Sequence, residues 1–312
     1  MSQNTNTTDN KKSPIYRLSS NVGGMLLIYT IARIMAMVGK EIATSQFNAA
    51  DSRSTIIISE YAGYMLGLIM ITLFMKESVP LKKVFAGGEK VTPMILGLLL
   101  IARIGMLFPA ELINDGIKKL TEILGSSLQQ TAAQAEGRNH ALVLSELLFA
   151  GIIGPIVEEI VYRGFVMRRL EPHGKAFAIV TSAILFGLMH GNPIQLISAG
   201  LGGLVLGYAA MRYGILWSIL LHIFNNLVLV DLLQNGLGQF TGEAAMEIIT
   251  TSLTLVCFVL AIILISKRRG SLKEYLSSGE TAPKSGYFRI YLSVTMIIFI
   301  LFNIISMAGS FK

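Results

Sequence analysis

Of 312 residues, 53% are hydrophobic and 14% charged, and the mean hydropathy is +0.62; soluble domains carry roughly 25% charged residues. This excludes an ordinary soluble domain and predicts an all-α, polytopic transmembrane helix bundle, with about 20 apolar residues per span and room for about nine spans, or eight if the Arg33 segment does not cross. The formal net charge of +7 is assigned to cytoplasmic loops rich in Lys and Arg, facing a lipid bilayer, and not to a nucleic-acid partner.

Residues 1–19 are rich in Asn, Thr, Ser and Lys and read as a disordered cytoplasmic tail, without the apolar core of a cleavable signal. Residues 20–312 read as one transmembrane domain. Spans are expected at 22–38, 55–75, 93–113, 141–162, 176–190, 194–211, 215–233, 248–266 and 290–308. Lys and Arg number 18 on one side against 6 on the other, with Arg33 and Arg103 inside spans. The positive-inside rule then puts the N-terminus in the cytoplasm and the C-terminus outside. The localisation is integral and multi-pass, in the cytoplasmic membrane if the chain is bacterial. Ala199, Gly203 and Gly207 recur every four residues in the sixth segment and read as a packing face. Cys257, the single cysteine, reads as a small side chain in an apolar run.

The fourth segment ends Gly154-Pro155-Ile156-Val157-Glu158-Glu159-Ile160-Val161-Tyr162-Arg163. Ionisable side chains within a span are costly and need a partner. Glu159 and Arg163 stand four residues apart and share a helical face, so they are expected to pair. Glu158 points about 100° away and is left for another partner. Pro155 has no N–H and crowds the carbonyl of Gly151, which predicts a kink one turn before the carboxylates.

The fifth segment ends Phe186-Gly187-Leu188-Met189-His190, and the seventh contains His222-Ile223-Phe224-Asn225-Asn226. His222 and Asn226 are one turn apart and are expected on one face. Measured from the nearest basic residues at 1.5 Å per residue, Glu158 and His222 lie roughly 15 Å deep and His190 roughly 22 Å, close enough to meet. Two chemistries suit such a cluster. Either Glu158 acts as general base on water beside His190, with His222 and Asn226 binding the oxyanion, or Glu158, His190 and His222 hold a divalent metal, most simply Zn²⁺, whose bound water attacks. The residues alone leave both open. The other charges in or near spans, Arg33, Glu60, Arg103, Glu111, Glu146 and Asp231, read as snorkelling or interhelical pairs, with Glu146 a candidate partner for Arg103.

Taken together, Glu158-Glu159-x-x-x-Arg163, Phe186-x-x-x-His190 and His222-x-x-x-Asn226 resemble the motifs of the CPBP family of intramembrane proteases, the CAAX-protease and bacteriocin-processing group also called Abi. The resemblance covers residues 141–233, expected to be the protease-like core. It implies a site between helices, open to the cytoplasm, that hydrolyses peptide bonds of membrane-associated peptides or proteins. Carried over, Glu158 and His190 would activate water and His222 and Asn226 would stabilise the oxyanion or bind metal. Glu159, Arg163 and Phe186 would support them. The competing expectations are a non-catalytic bacteriocin-immunity or regulatory protein and a proton-coupled transporter; the absence of a two-halved repeat speaks against the latter.

Overall fold

The computed structural model describes residues 14–47, 52–125, 148–227 and 242–310. Among them every regular element is helical, apart from one isolated bridge between Gly87 and Gly214. Among the described residues each of the nine expected segments overlaps a helix; residues 141–147 of the fourth and 228–233 of the seventh lie outside the described residues, and the ninth is helical from residue 294. Among the described residues four helical stretches are long and apolar enough to cross a membrane: Pro14–Ala36, Pro93–Ile123, Pro193–Tyr213 and Ala244–Lys267. Four shorter apolar ones, Ala62–Met75, Lys175–Leu188, Ile215–Leu227 and Val294–Ala308, accompany them.

Helices α1 (Pro14–Phe47) and α2 (Ser52–Met75) pack along each other. The first takes in residues 14–19 of the stretch expected to be a disordered tail, which corrects that expectation for these six residues. The cause is tertiary: Leu18 is buried, and Ser19 donates to the Ser293 hydroxyl at 2.7 Å near the start of the C-terminal helix. A short helix α3 (Leu81–Val84) follows, then α4 (Pro93–Gly105), started by Thr92 accepting from the Ile95 N–H, and α5 (Leu107–Ile123).

The fourth apolar segment is a continuous but irregular helix. The α-helical turns α6 (Gly154–Glu159) and α7 (Met167–Leu170) alternate with π-helical Phe149–Ile153 and Ile160–Val166. Pro155 offers no N–H to the preceding turn, and the wider π turn absorbs the loss: the Gly154 N–H reaches back five residues to the Phe149 carbonyl. Beyond it lie α8 (Lys175–Leu188), α9 (Pro193–Tyr213), α10 (Ile215–Ile223), α11 (Glu243–Lys267), α12 (Arg269–Ser277), α13 (Lys284–Arg289) and α14 (Val294–Ala308).

Polarity is arranged as lipid demands. On α11 and α14 large apolar side chains such as Ile248, Val256, Ile262, Val294 and Ile305 face outward, while Glu158, Glu159, Arg163, Ser218 and His222 are buried. The small-residue face of α9 packs on α8, as expected. A Cβ on Gly203 would lie 2.9 Å from the Arg163 guanidinium and 3.3 Å from Ala183, so only glycine admits Arg163 between these helices.

Candidate functional site

Glu158 and Glu159 are successive residues at the end of α6, flanked on both sides by π turns, a helix distortion common at functional sites. They part as the helical geometry requires. Glu159 is fully buried, and its carboxylate accepts from Arg163 Nη1 at 2.9 Å, from His222 Nδ1 at 2.9 Å and from the Ser218 hydroxyl. A carboxylate has about four acceptor positions, so these three donors nearly saturate it. Arg163 is buried to 1% exposure, donates a second bond to the Gly203 carbonyl at 3.3 Å and stacks 4.2 Å over the Phe186 ring.

Glu158 faces elsewhere. Its Oε2 lies 3.8 Å from His222 Nε2, and its Oε1 accepts from the Tyr64 hydroxyl of α2 at 3.3 Å. His222 therefore stands between the two glutamates, held by Glu159 through one ring nitrogen and turned toward Glu158 with the other. Since the Glu159 oxygen is an acceptor, Nδ1 carries the proton, and Nε2 is the working atom.

His190 lies just past the C-terminus of α8, half-buried, and its Nδ1 donates to the Phe186 carbonyl at 2.9 Å. It too presents Nε2, with Glu158, Arg33 and His222 as charged or titratable neighbours. Phe186 is the wedge of the site. Its ring meets His190 edge-on at 5.1 Å, His222 at 5.6 Å and Tyr162 at 5.3 Å, while Arg163 covers its face.

Asn226 follows His222 by four residues, but residues 224–227 continue as a π turn. Its Nδ2 donates to the Ala150 carbonyl at 3.0 Å, and its Oδ1 accepts from the buried Asn225 at 2.9 Å. The residue thus ties the seventh segment to the first π turn of the fourth.

Two participants went unread in the sequence. Ser218 precedes His222 by four residues, so its one-turn spacing was a usable signal. Tyr64 had none, because α2 is distant in sequence from the motif segments. Arg33, expected to snorkel or to pair between helices, is half-buried and lies 4.9 Å over the Tyr64 ring of α2 and 5.8 Å from that of Tyr29, an interhelical pairing. Arg103 is buried against Gly202, and its expected partner Glu146 lies outside the described residues, as does Asp231.

The donor types suit Zn²⁺: two imidazoles, each with Nδ1 held by a protein acceptor, beside a carboxylate. The spacing does not. Among the described residues no three His, Cys, Asp or Glu side chains gather closely enough to hold a metal.

Residues 140–228, under a third of the chain, match the model of the family described as type II CAAX prenyl endopeptidase Rce1-like, in agreement with the CPBP resemblance carried by these motifs. Comparison with curated proteins and with solved structures gives no match.

Proposed function

We propose that this CPBP-family chain, with its Rce1-like core, is an intramembrane endopeptidase of about nine spans, acting on a membrane-associated peptide or protein through water activated by Glu158. The observation that carries the reading is the facing pair of Glu158 Oε2 and His222 Nε2 at 3.8 Å. That separation exceeds a direct hydrogen bond and suits two groups that share one water between them.

In this mechanism Glu158 takes a proton from water, the hydroxide adds to the peptide carbonyl carbon, and the resulting oxyanion needs donors. Asn226 has a second Nδ2 N–H beyond the one used on Ala150. His222 supplies Nε2–H when protonated, the imidazolium being stabilised by Glu159 as a buried carboxylate stabilises the histidine of a serine protease. Glu158 returns its proton to the amine as the C–N bond breaks. His190 orients the water from the other side of Phe186. Glu159, Arg163 and Ser218 act through His222 and touch no substrate, so they are positioning residues. No step is routed through a metal.

The test is cleavage of a fluorogenic membrane-associated peptide by the purified full chain in proteoliposomes. Cleavage by the parent chain and its loss in Glu158→Gln, His190→Ala and His222→Ala, each still inserted, is the expected result. Undiminished cleavage by Glu158→Gln would sink the mechanism, and a cellular function that survives all three substitutions would favour a non-catalytic immunity role.

A further inference from the structure

Away from the glutamates and histidines, the helix ends on the basic side of the bundle enclose a cleft of about 380 Å³, within the range of small-molecule sites. Its walls come from α4, α8, α9, α11 and α12. The lining is apolar below, with Leu99, Leu204 and Leu264, and cationic at the mouth, with Arg212 and Arg268. Along α9 it extends from Leu204 to Tyr213, and along α11 from Ala261 to Arg268; at 1.5 Å per residue each wall is roughly 10–13 Å long. With spans at 194–211 and 248–266, the cleft would start at the interface and end in the hydrocarbon layer.

The mouth carries more positive charge than its own partners neutralise. Arg212 is paired with Glu89 at 2.9 Å and stacked 4.8 Å from the Tyr275 ring. Arg268 has no ion pair among the described residues; its Nη2 reaches only the Met94 sulfur at 3.6 Å. Arg268 is the N-cap residue of α12, which has no acidic residue in its first turn and no side-chain cap. Leu272, Tyr275 and Leu276 occupy one face of α12 at helical spacing, and Leu272 and Leu276 line the cleft. Burial pushes the Tyr275 phenol up to about 12, so it stays neutral beside Arg212.

We infer that this cleft is a binding site for an anionic phospholipid, with one acyl chain between α4, α9 and α11 and the phosphate at Arg268 and Arg212. An apolar shaft closed by lipid-facing helices selects a chain, and an unpaired guanidinium at the interface selects an anionic headgroup. None of the residues of the glutamate–histidine cluster lines it, so the inference does not depend on the peptidase reading.

The experiment is native mass spectrometry of the full chain in micelles doped with equal phosphatidylglycerol and phosphatidylcholine of identical chains. The parent chain retains phosphatidylglycerol in preference by about fivefold, the effect of one basic residue near a charged lipid surface. Arg268→Gln abolishes that preference, Leu264→Trp lowers retention of both lipids, and Lys76→Gln, a basic residue outside the cleft, changes neither. Equal retention by the parent chain would overturn the proposal. So would an effect of Lys76→Gln as large as that of Arg268→Gln, unchanged retention by Leu264→Trp, or displacement by free glycerol phosphate as effective as displacement by lipid. Size-exclusion profiles matching the parent confirm that the exposed Arg268 variant is folded.

Discussion

Glu159 holds His222: a 2.9 Å contact from Nδ1 to the buried carboxylate turns Nε2 toward Glu158, 3.8 Å away. Adjacent glutamates thereby take different positions on one imidazole. Glu159 is nearly saturated by Arg163, Ser218 and His222, and Glu158 keeps acceptor capacity facing His222.

Glu158→Gln is expected to remove peptidase activity by 10² to 10⁴, the typical worth of a positioned general base. Thermal stability should barely change, because the amide keeps the Tyr64 hydroxyl as a partner. Initial cleavage rates and a melting curve on the same preparation check both statements; loss of activity together with collapse of the fold would instead mark Glu158 as structural.

Glu159→Gln should act mainly on stability. It leaves Arg163, 1% exposed, without its ion-pair partner, and breaking a buried pair from one side costs about 3–5 kcal/mol. Adding Arg163→Met should recover much of that stability while activity stays low, since His222 has still lost its anionic partner. A double-mutant cycle read by unfolding and by kcat separates the two effects.

Tyr64→Phe removes the 3.3 Å hydrogen bond to Glu158 and leaves the ring under Arg33. Hydrogen bonds to charged groups contribute about 1.5–3 kcal/mol, so kcat should fall roughly tenfold or more with KM little changed. An unaltered kcat would remove Tyr64 from the site.

Gly203→Ala places a methyl 2.9 Å from Arg163 and 3.3 Å from Ala183, and overpacking of this kind costs about 1–3 kcal/mol. Gly200→Ala, on the same helix, meets nothing closer than the Ala183 carbonyl at 3.8 Å. It should be neutral or stabilising, given alanine's advantage of about 1 kcal/mol in a helix. Melting temperatures of the pair test whether the small-residue face is specific to Arg163.

Dialysis against a strong chelator, followed by metal analysis and the cleavage assay, addresses the donor spacing. With Glu158 and His222 acting as a pair, activity survives dialysis. Activity that disappears and returns with Zn²⁺ would mean that His190 closes on the other two donors in the working enzyme.

What the chain determined by itself was the class of its solvent and the location of its expensive residues. Apolar runs located the helical segments that the described residues show, since lipid rewards length and apolarity whatever the neighbours are. One-turn spacing also foretold the Glu159–Arg163 pair, because both residues ride one helix. The tertiary structure alone decided which glutamate holds His222, that Tyr64 borders Glu158 with Arg33 over its ring, and that Asn226 bonds Ala150. It also made residues 14–19 helical, where packing on α14 overrode a polar composition. Those outcomes depend on contacts between segments far apart in the chain and on π turns that shift the register of a face, and no local pattern encodes either.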